Sequence, residues 1–195
     1  MASDLMTKTP GRAREAVCPA EFAGWLSTPL RRLITHPERI LGDLVGPGDT
    51  AADLGCGPGF FTLPLAEMVG DEGSVLAVDL QQAMLDRVGT RAEQRGLASR
   101  VRLHRCEAGS LGLDGERADF ALAFWMVHEV PDQWRLFRET RELLRSGSRL
   151  LLVEPKGHVV KAAFAQTIAA AEAAGFRAVG RPRITLSHSV LLECV

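Results

Sequence analysis

The sequence predicts an α/β fold, with seven strands in one mostly parallel sheet and helices on both faces, three layers in all. Three observations lead there. Short apolar runs alternate with segments of helical period along nearly the whole chain. Two early runs end in a carboxylate, at Asp53 and Asp79, and the first leads directly into a glycine turn and a helical pattern. A later run, over 149–155, reads as apolar throughout, as a central parallel strand buried on both faces should.

The first strand and its turn are Thr50-Ala51-Ala52-Asp53-Leu54-Gly55-Cys56-Gly57-Pro58-Gly59-Phe60-Phe61-Thr62. Glycines here permit positive φ and let a ligand approach the backbone. Alone, such a turn can be no more than a connection between strand and helix. The second strand, Ser74-Val75-Leu76-Ala77-Val78-Asp79, adds a carboxylate about twenty residues further on, where nucleotide-binding α/β folds hold two ribose hydroxyls. A right-handed parallel connection brings both to one sheet edge. A dinucleotide fingerprint reads G-x-G-x-x-G/A. Here Gly55, Gly57 and Gly59 read G-x-G-x-G, with Phe60 where the third small residue belongs, and Asp53 suits a cationic amine better than a phosphate.

Asp53-Leu54-Gly55-Cys56-Gly57-Pro58-Gly59 resembles the first motif of the class I S-adenosylmethionine-dependent methyltransferases, and Val78-Asp79 resembles the second. The resemblance runs from about Pro29 to the C-terminus. It implies a three-layer Rossmann-like sheet whose last two strands form an antiparallel hairpin, and S-adenosyl-L-methionine as cofactor. The cofactor contacts implied are Asp53, Gly55, Cys56, Gly57 and Gly59 at the first strand and its turn, Asp79 and Leu80 at the end of the second strand, and Phe124 at the end of the fourth. Glu107 and Ala108 match the pair that reads adenine, through a carboxylate and a backbone amide, although Glu107 also fits a surface acid in a loop. The segment before the first strand often closes over the substrate in this family, making Trp25, Arg31, Arg32 and His36 pocket candidates. Trp25 reads as core packing ahead of a binding role.

Composition bounds the rest. The 195 residues fit one domain, and 46% hydrophobic with 24% charged residues is ordinary for a globular protein. The expected division is a tail over 1–18 and a methyltransferase domain over 19–195, the latter starting with a helical cap over 19–46. A net charge of −1 gives no support for broad binding to nucleic acid. Cys18, Cys56, Cys106 and Cys194 form no C-x-x-C pair, so no metal site is expected. There is no apolar signal core and no run of about 18 apolar residues, so a cytoplasmic protein free of membrane is expected, as monomer or homodimer. With no tyrosine in the chain, no tyrosine can act as acid or base.

The remaining elements follow from their punctuation. Pro37 opens a helix over 38–44, and Thr62 is placed to cap a helix over 62–69. Met84, Leu85, Val88 and Ala92 share one face of a helix that stops at Gly96. The third strand spans 101–106, with His104 structural, and the fourth spans 119–124. A helix over 133–144 ends in a loop at Ser146-Gly147-Ser148, with Glu129 as an acid at the helix start ahead of a weaker claim as a base. A helix over 159–174 and strands over 176–179 and 189–194 complete the chain.

Ligands of parallel α/β sheets bind where the strand order reverses, here between the first and fourth strands. His128 therefore borders the reactive methyl and is the catalytic candidate, as a general base or as a pocket wall. Methyl transfer from a sulfonium is driven mainly by alignment, and a base is needed only if the acceptor arrives protonated. Phe124, Trp125 and Met126 favour a small, apolar or aromatic methyl acceptor. The alternatives are a methyltransferase acting on protein or nucleic acid, and a non-catalytic S-adenosylmethionine-binding protein or a dinucleotide enzyme.

Overall fold

The computed structural model describes residues 35–195. The expected tail over 1–18, the helical segment over 19–34, and Trp25, Arg31 and Arg32 lie outside the described residues. The elements are α1 Pro37–Leu41, β1 Thr50–Leu54, α2 Thr62–Val69, β2 Ser74–Asp79, α3 Gln82–Gln94, β3 Val101–Arg105, β4 Ala118–Phe124, α4 Gln133–Leu143, β5 Leu144–Pro155, α5 Lys161–Ala173, β6 Phe176–Gly180 and β7 Ser187–Cys194.

The strands form one sheet in the order β3-β2-β1-β4-β5-β7-β6. The strands from β3 to β5 run parallel, and β7 is antiparallel to both of its neighbours. The expected Rossmann-like sheet with a C-terminal antiparallel hairpin is thus the observed one, and the order reverses between β1 and β4.

Successive residues of a strand face opposite layers. Phe120, Leu122 and Phe124 of β4 join Leu41 of α1 and Leu63 and Leu65 of α2 on one face. Ala121 and Ala123 join Leu136 and Phe137 of α4 and Phe164 and Ile168 of α5 on the other. Covering both faces is what makes β4 a continuous apolar run rather than an alternating one. Leu85 and Val88 seat α3 against Ala77 of β2.

Three local expectations are corrected. Thr62 does not cap α2; Phe61 stands at that position, and the Thr62 hydroxyl instead donates to the buried Asp53 carboxylate at 2.6 Å. Glu129 does not open α4 but lies in a short 3-10 turn, Val127–Glu129, and the cap is Asp132, whose carboxylate accepts the Arg135 N–H at 2.9 Å. The expected loop over 146–148 is part of β5, which begins directly after α4. Gly147 at φ 81° lets the strand absorb extra residues, and the pairing with β4 shifts register between Ala118 and Phe120.

The Thr62–Asp53 bond ties the end of β1 to the start of α2. Thr62→Val keeps the shape and removes the donor to a buried charge, so stability should fall by about 1.5–3 kcal/mol in urea titration. An unchanged midpoint would show that the bond holds nothing.

Candidate active site

The glycine turn crosses from β1 to α2 with Gly55, Gly57 and Gly59 all at positive φ, 68°, 52° and 87°. Each glycine is required for a different reason. A Cβ on Gly55 would lie 2.8 Å from both Cβ and Cγ of Met126, so this glycine lets the turn pack against the end of β4. A Cβ on Gly59 would meet Val88 of α3 at 3.2 Å. A Cβ on Gly57 would meet nothing within 4 Å, so the backbone there faces open space that a ligand can occupy. Cys56 extends the ladder by donating its N–H to Val78 at 2.9 Å. Its thiol is pushed well above the ordinary range by burial, then by the Asp53 and Asp79 carboxylates, which keeps it protonated and unreactive.

Asp79 ends β2 beside this turn. One carboxylate oxygen accepts the Gly57 N–H at 2.8 Å and the other accepts the Gln81 N–H at 2.9 Å. Burial raises its pKa, and the backbone N–H groups of Gln81, Gly57 and Leu80 pull against that rise. Turn and carboxylate therefore form one rigid unit. Two carboxylate oxygens offer about four acceptor sites, so capacity remains beside these backbone donors for a further hydroxyl.

Glu107 and Ala108 follow β3 and are exposed. Glu107 and Ser110 exchange backbone bonds at 3.0 and 3.2 Å in a tight turn. That turn is held by Glu139 of α4, which accepts the Leu111 N–H at 2.5 Å and the Ser110 hydroxyl at 3.1 Å while paired with Arg135 at 2.8 Å. His104 is structural as expected, its Nε2 lying 2.8 Å from the Leu111 carbonyl.

Beyond β4 the chain turns sharply. Trp125 sits in the left-handed region at φ 60°, held by its N–H to Val153 at 2.8 Å and its indole N–H to the Ser187 hydroxyl at 3.0 Å. A row of rings runs from Phe60 through Phe61 and Phe124 to Trp125, with centroids 5.2, 4.4 and 5.3 Å apart. His128 lies in the following 3-10 turn, with Nδ1 bonded to Glu154 at the end of β5. The bond to Glu154 raises the His128 pKa, burial opposes it, and the charges of Glu154 and Glu129 add to the rise. His36 heads α1, and among the described residues no side-chain bond joins it to this site.

Sequence reasoning thus brought the glycine turn, Asp79 and His128 to one sheet edge, and missed Glu154, Glu139 and Ser187. Glu154 carried a usable signal, a carboxylate closing an apolar strand as Asp53 and Asp79 do. Glu139, four residues after Arg135, reads only as half of a solvated helical pair.

Residues 51–147 match the family model described as "Methyltransferase domain". The chain belongs to the class I S-adenosylmethionine-dependent methyltransferases. S-adenosylmethionine is accordingly its cofactor, and the open cradle at Gly57 beside the Asp79 carboxylate fits it. The chain is 32% identical over 108 residues to a 2-phytyl-1,4-naphtoquinone methyltransferase of Synechococcus elongatus, covering 55% of this chain and 46% of that protein. It is 28% identical over 120 residues to a demethylmenaquinone methyltransferase of Lactobacillus johnsonii, covering 60% and 49%. The chain spans about half the length of these curated relatives. In fold it resembles a SAM-dependent methyltransferase of Aquifex aeolicus, at TM-score 0.83 and 22% identity, covering 92% of this chain and 100% of that one. Among the described residues no helix is long and apolar enough to cross a membrane, and no group of three or more His, Cys, Asp or Glu side chains is arranged to hold a metal ion.

Proposed function

We propose that this chain is a cytoplasmic methyltransferase that moves the methyl group of S-adenosylmethionine to a small-molecule acceptor. The observation that carries the reading is the open backbone at Gly57, rigidly joined to the Asp79 carboxylate at the edge where the strand order reverses. The cofactor supplies a methyl already activated by the sulfonium charge. Gly55, Cys56, Gly57 and Gly59 shape the floor of its site, with Asp53 holding the turn from beneath. Asp79 and Leu80 receive the ribose, Glu107 and Ala108 the adenine, and Phe124 closes one wall. His128 accepts the acceptor's proton. The aromatic row ending at Trp125 suits a flat, apolar acceptor, and the quinone substrates named for two relatives support that class.

Protein or nucleic acid acceptors are the second reading, to which the net charge of −1 gives no support. Calorimetry with S-adenosylhomocysteine and with NAD tests the cofactor. Incubation with S-adenosylmethionine and a panel of small hydroquinones and phenols, followed by release of S-adenosylhomocysteine, tests the acceptor. Binding of NAD instead, or transfer only to protein or RNA, would sink the proposal.

Asp79 gives a sharper check. Asp79→Ala should weaken S-adenosylhomocysteine binding at least about tenfold, from a lost charged acceptor worth roughly 1.5–3 kcal/mol. The melting temperature should fall too, because the Gly57 and Gln81 N–H groups lose their partner. An unchanged dissociation constant would remove Asp79 from the site.

A further inference from the structure

We propose that Glu154 is the positioning residue of the methyl-transfer site, holding His128 by Nδ1 so that Nε2 is the ring's one basic atom. This rests on the methyltransferase reading above. Glu154 is 1% exposed, at the end of β5. A carboxylate so placed loses its hydration and persists only with partners for both oxygens. It has them: Oε1 accepts the Val127 N–H at 2.9 Å, and Oε2 is bonded to His128 Nδ1. Both partners belong to one short turn, reached across 26 and 27 residues of sequence.

The turn is clamped from its other side as well. Gln133 donates its amide N–H to the Val127 carbonyl at 3.1 Å, and the Thr167 hydroxyl of α5 donates to the Gln133 oxygen at 2.9 Å. The imidazole is thus fixed by a carboxylate on β5 while its backbone is fixed by α4 and α5.

A carboxylate facing Nδ1 selects the tautomer protonated there and leaves the Nε2 lone pair bare. Among the described residues no hydrogen bond is made to Nε2. The other titratable groups nearby do not bond the ring. Glu129 lies on the same turn, the His158 ring centre is 5.9 Å away in the segment after β5, and His188 of β7, opposite Glu154 in the ladder, stacks on Phe164 at 5.4 Å.

The acceptor's X–H pair stays on X and forms the bond to the methyl carbon, and the C–S pair leaves with sulfur. The proton passes to Nε2 and from there to solvent.

The test needs no acceptor. Imidazole 15N shifts of the full chain, followed through a pH titration, resolve the five histidines and are assigned with His128→Gln. Above its midpoint the parent His128 should carry its proton on Nδ1. Glu154→Gln should lower that midpoint by roughly one unit by removing the paired charge, and Glu129→Gln should lower it less. Both variants should bind S-adenosylhomocysteine like the parent in calorimetry. A proton on Nε2 in the parent, or equal midpoints in parent and Glu154→Gln, overturns the proposal and reduces Glu154 to a peg for the Val127 turn. If Glu154→Gln does not fold, the parent tautomer decides alone. Failure of the parent to bind S-adenosylhomocysteine would instead strike the methyltransferase reading.

Discussion

Gly57→Val should weaken S-adenosylhomocysteine binding more than about a hundredfold, a loss of roughly 2.8 kcal/mol, while the protein still unfolds in one cooperative transition. Two effects combine. At φ 52° a branched residue is strained by roughly 1–2 kcal/mol. The new side chain also projects into the open space beside the Asp79 carboxylate, the place proposed above for the cofactor. Strain alone does not abolish binding, and Gly48 separates the two. It sits at φ 87°, has nothing within 4 Å of its would-be Cβ, and lies before β1, at the opposite end of the sheet. Gly48→Val should share the drop in melting temperature and bind the cofactor product like the parent. Equal binding by Gly57→Val and the parent would show that the turn cradles no ligand. Gly55 belongs to neither class, because its Cβ would strike Met126 whether or not a ligand is bound.

The contrast among these glycines shows where sequence reading stops. Spacing and residue type locate a turn that must take positive φ, but only three-dimensional neighbours tell a glycine that admits Met126 from one that admits a ligand. The sheet was legible because β1, β2 and β4 are short apolar runs with clear punctuation, and their order follows from right-handed parallel connections. The start of β5 is not, since Ser146-Gly147-Ser148 has loop chemistry and forms the bulge between the Leu144 and Arg149 pairings with β4. Thr62 differs from its expected role because a hydroxyl at a helix start has two uses, and donating to the buried Asp53 carboxylate is a stronger one than accepting a backbone N–H. Glu154 is hidden because an apolar run that fills the core reads as apolar to its end, although a carboxylate closes it as Asp53 and Asp79 close theirs.

His128→Ala should lower turnover by about a hundredfold or more with an acceptor found in the hydroquinone panel, the scale of a lost general base. S-adenosylhomocysteine affinity should stay near the parent value, because the residues proposed to hold the adenosine, Asp79 and Glu107, are unchanged. The sign of the pH dependence follows from Glu154. Its bond favours the protonated imidazole, so the His128 pKa lies above the ordinary value of about 6.5. The parent's rate should therefore fall with decreasing pH through a midpoint above that value, and the variant should lack that limb. Stability runs the opposite way. A histidine whose folded pKa is raised contributes stability fully present below its unfolded pKa and lost as pH rises through the folded one. The parent's advantage over His128→Ala in urea titration should be largest below about pH 6.5, shrink as pH rises toward the raised midpoint and be lost above it. A flat rate profile with parental turnover in the variant would leave alignment as the whole mechanism, and a pH-independent stability difference would show that the Glu154 pair is uncharged in the folded protein. The two measurements fail separately: the first reports what Nε2 does to an acceptor, the second what Nδ1 does for the fold.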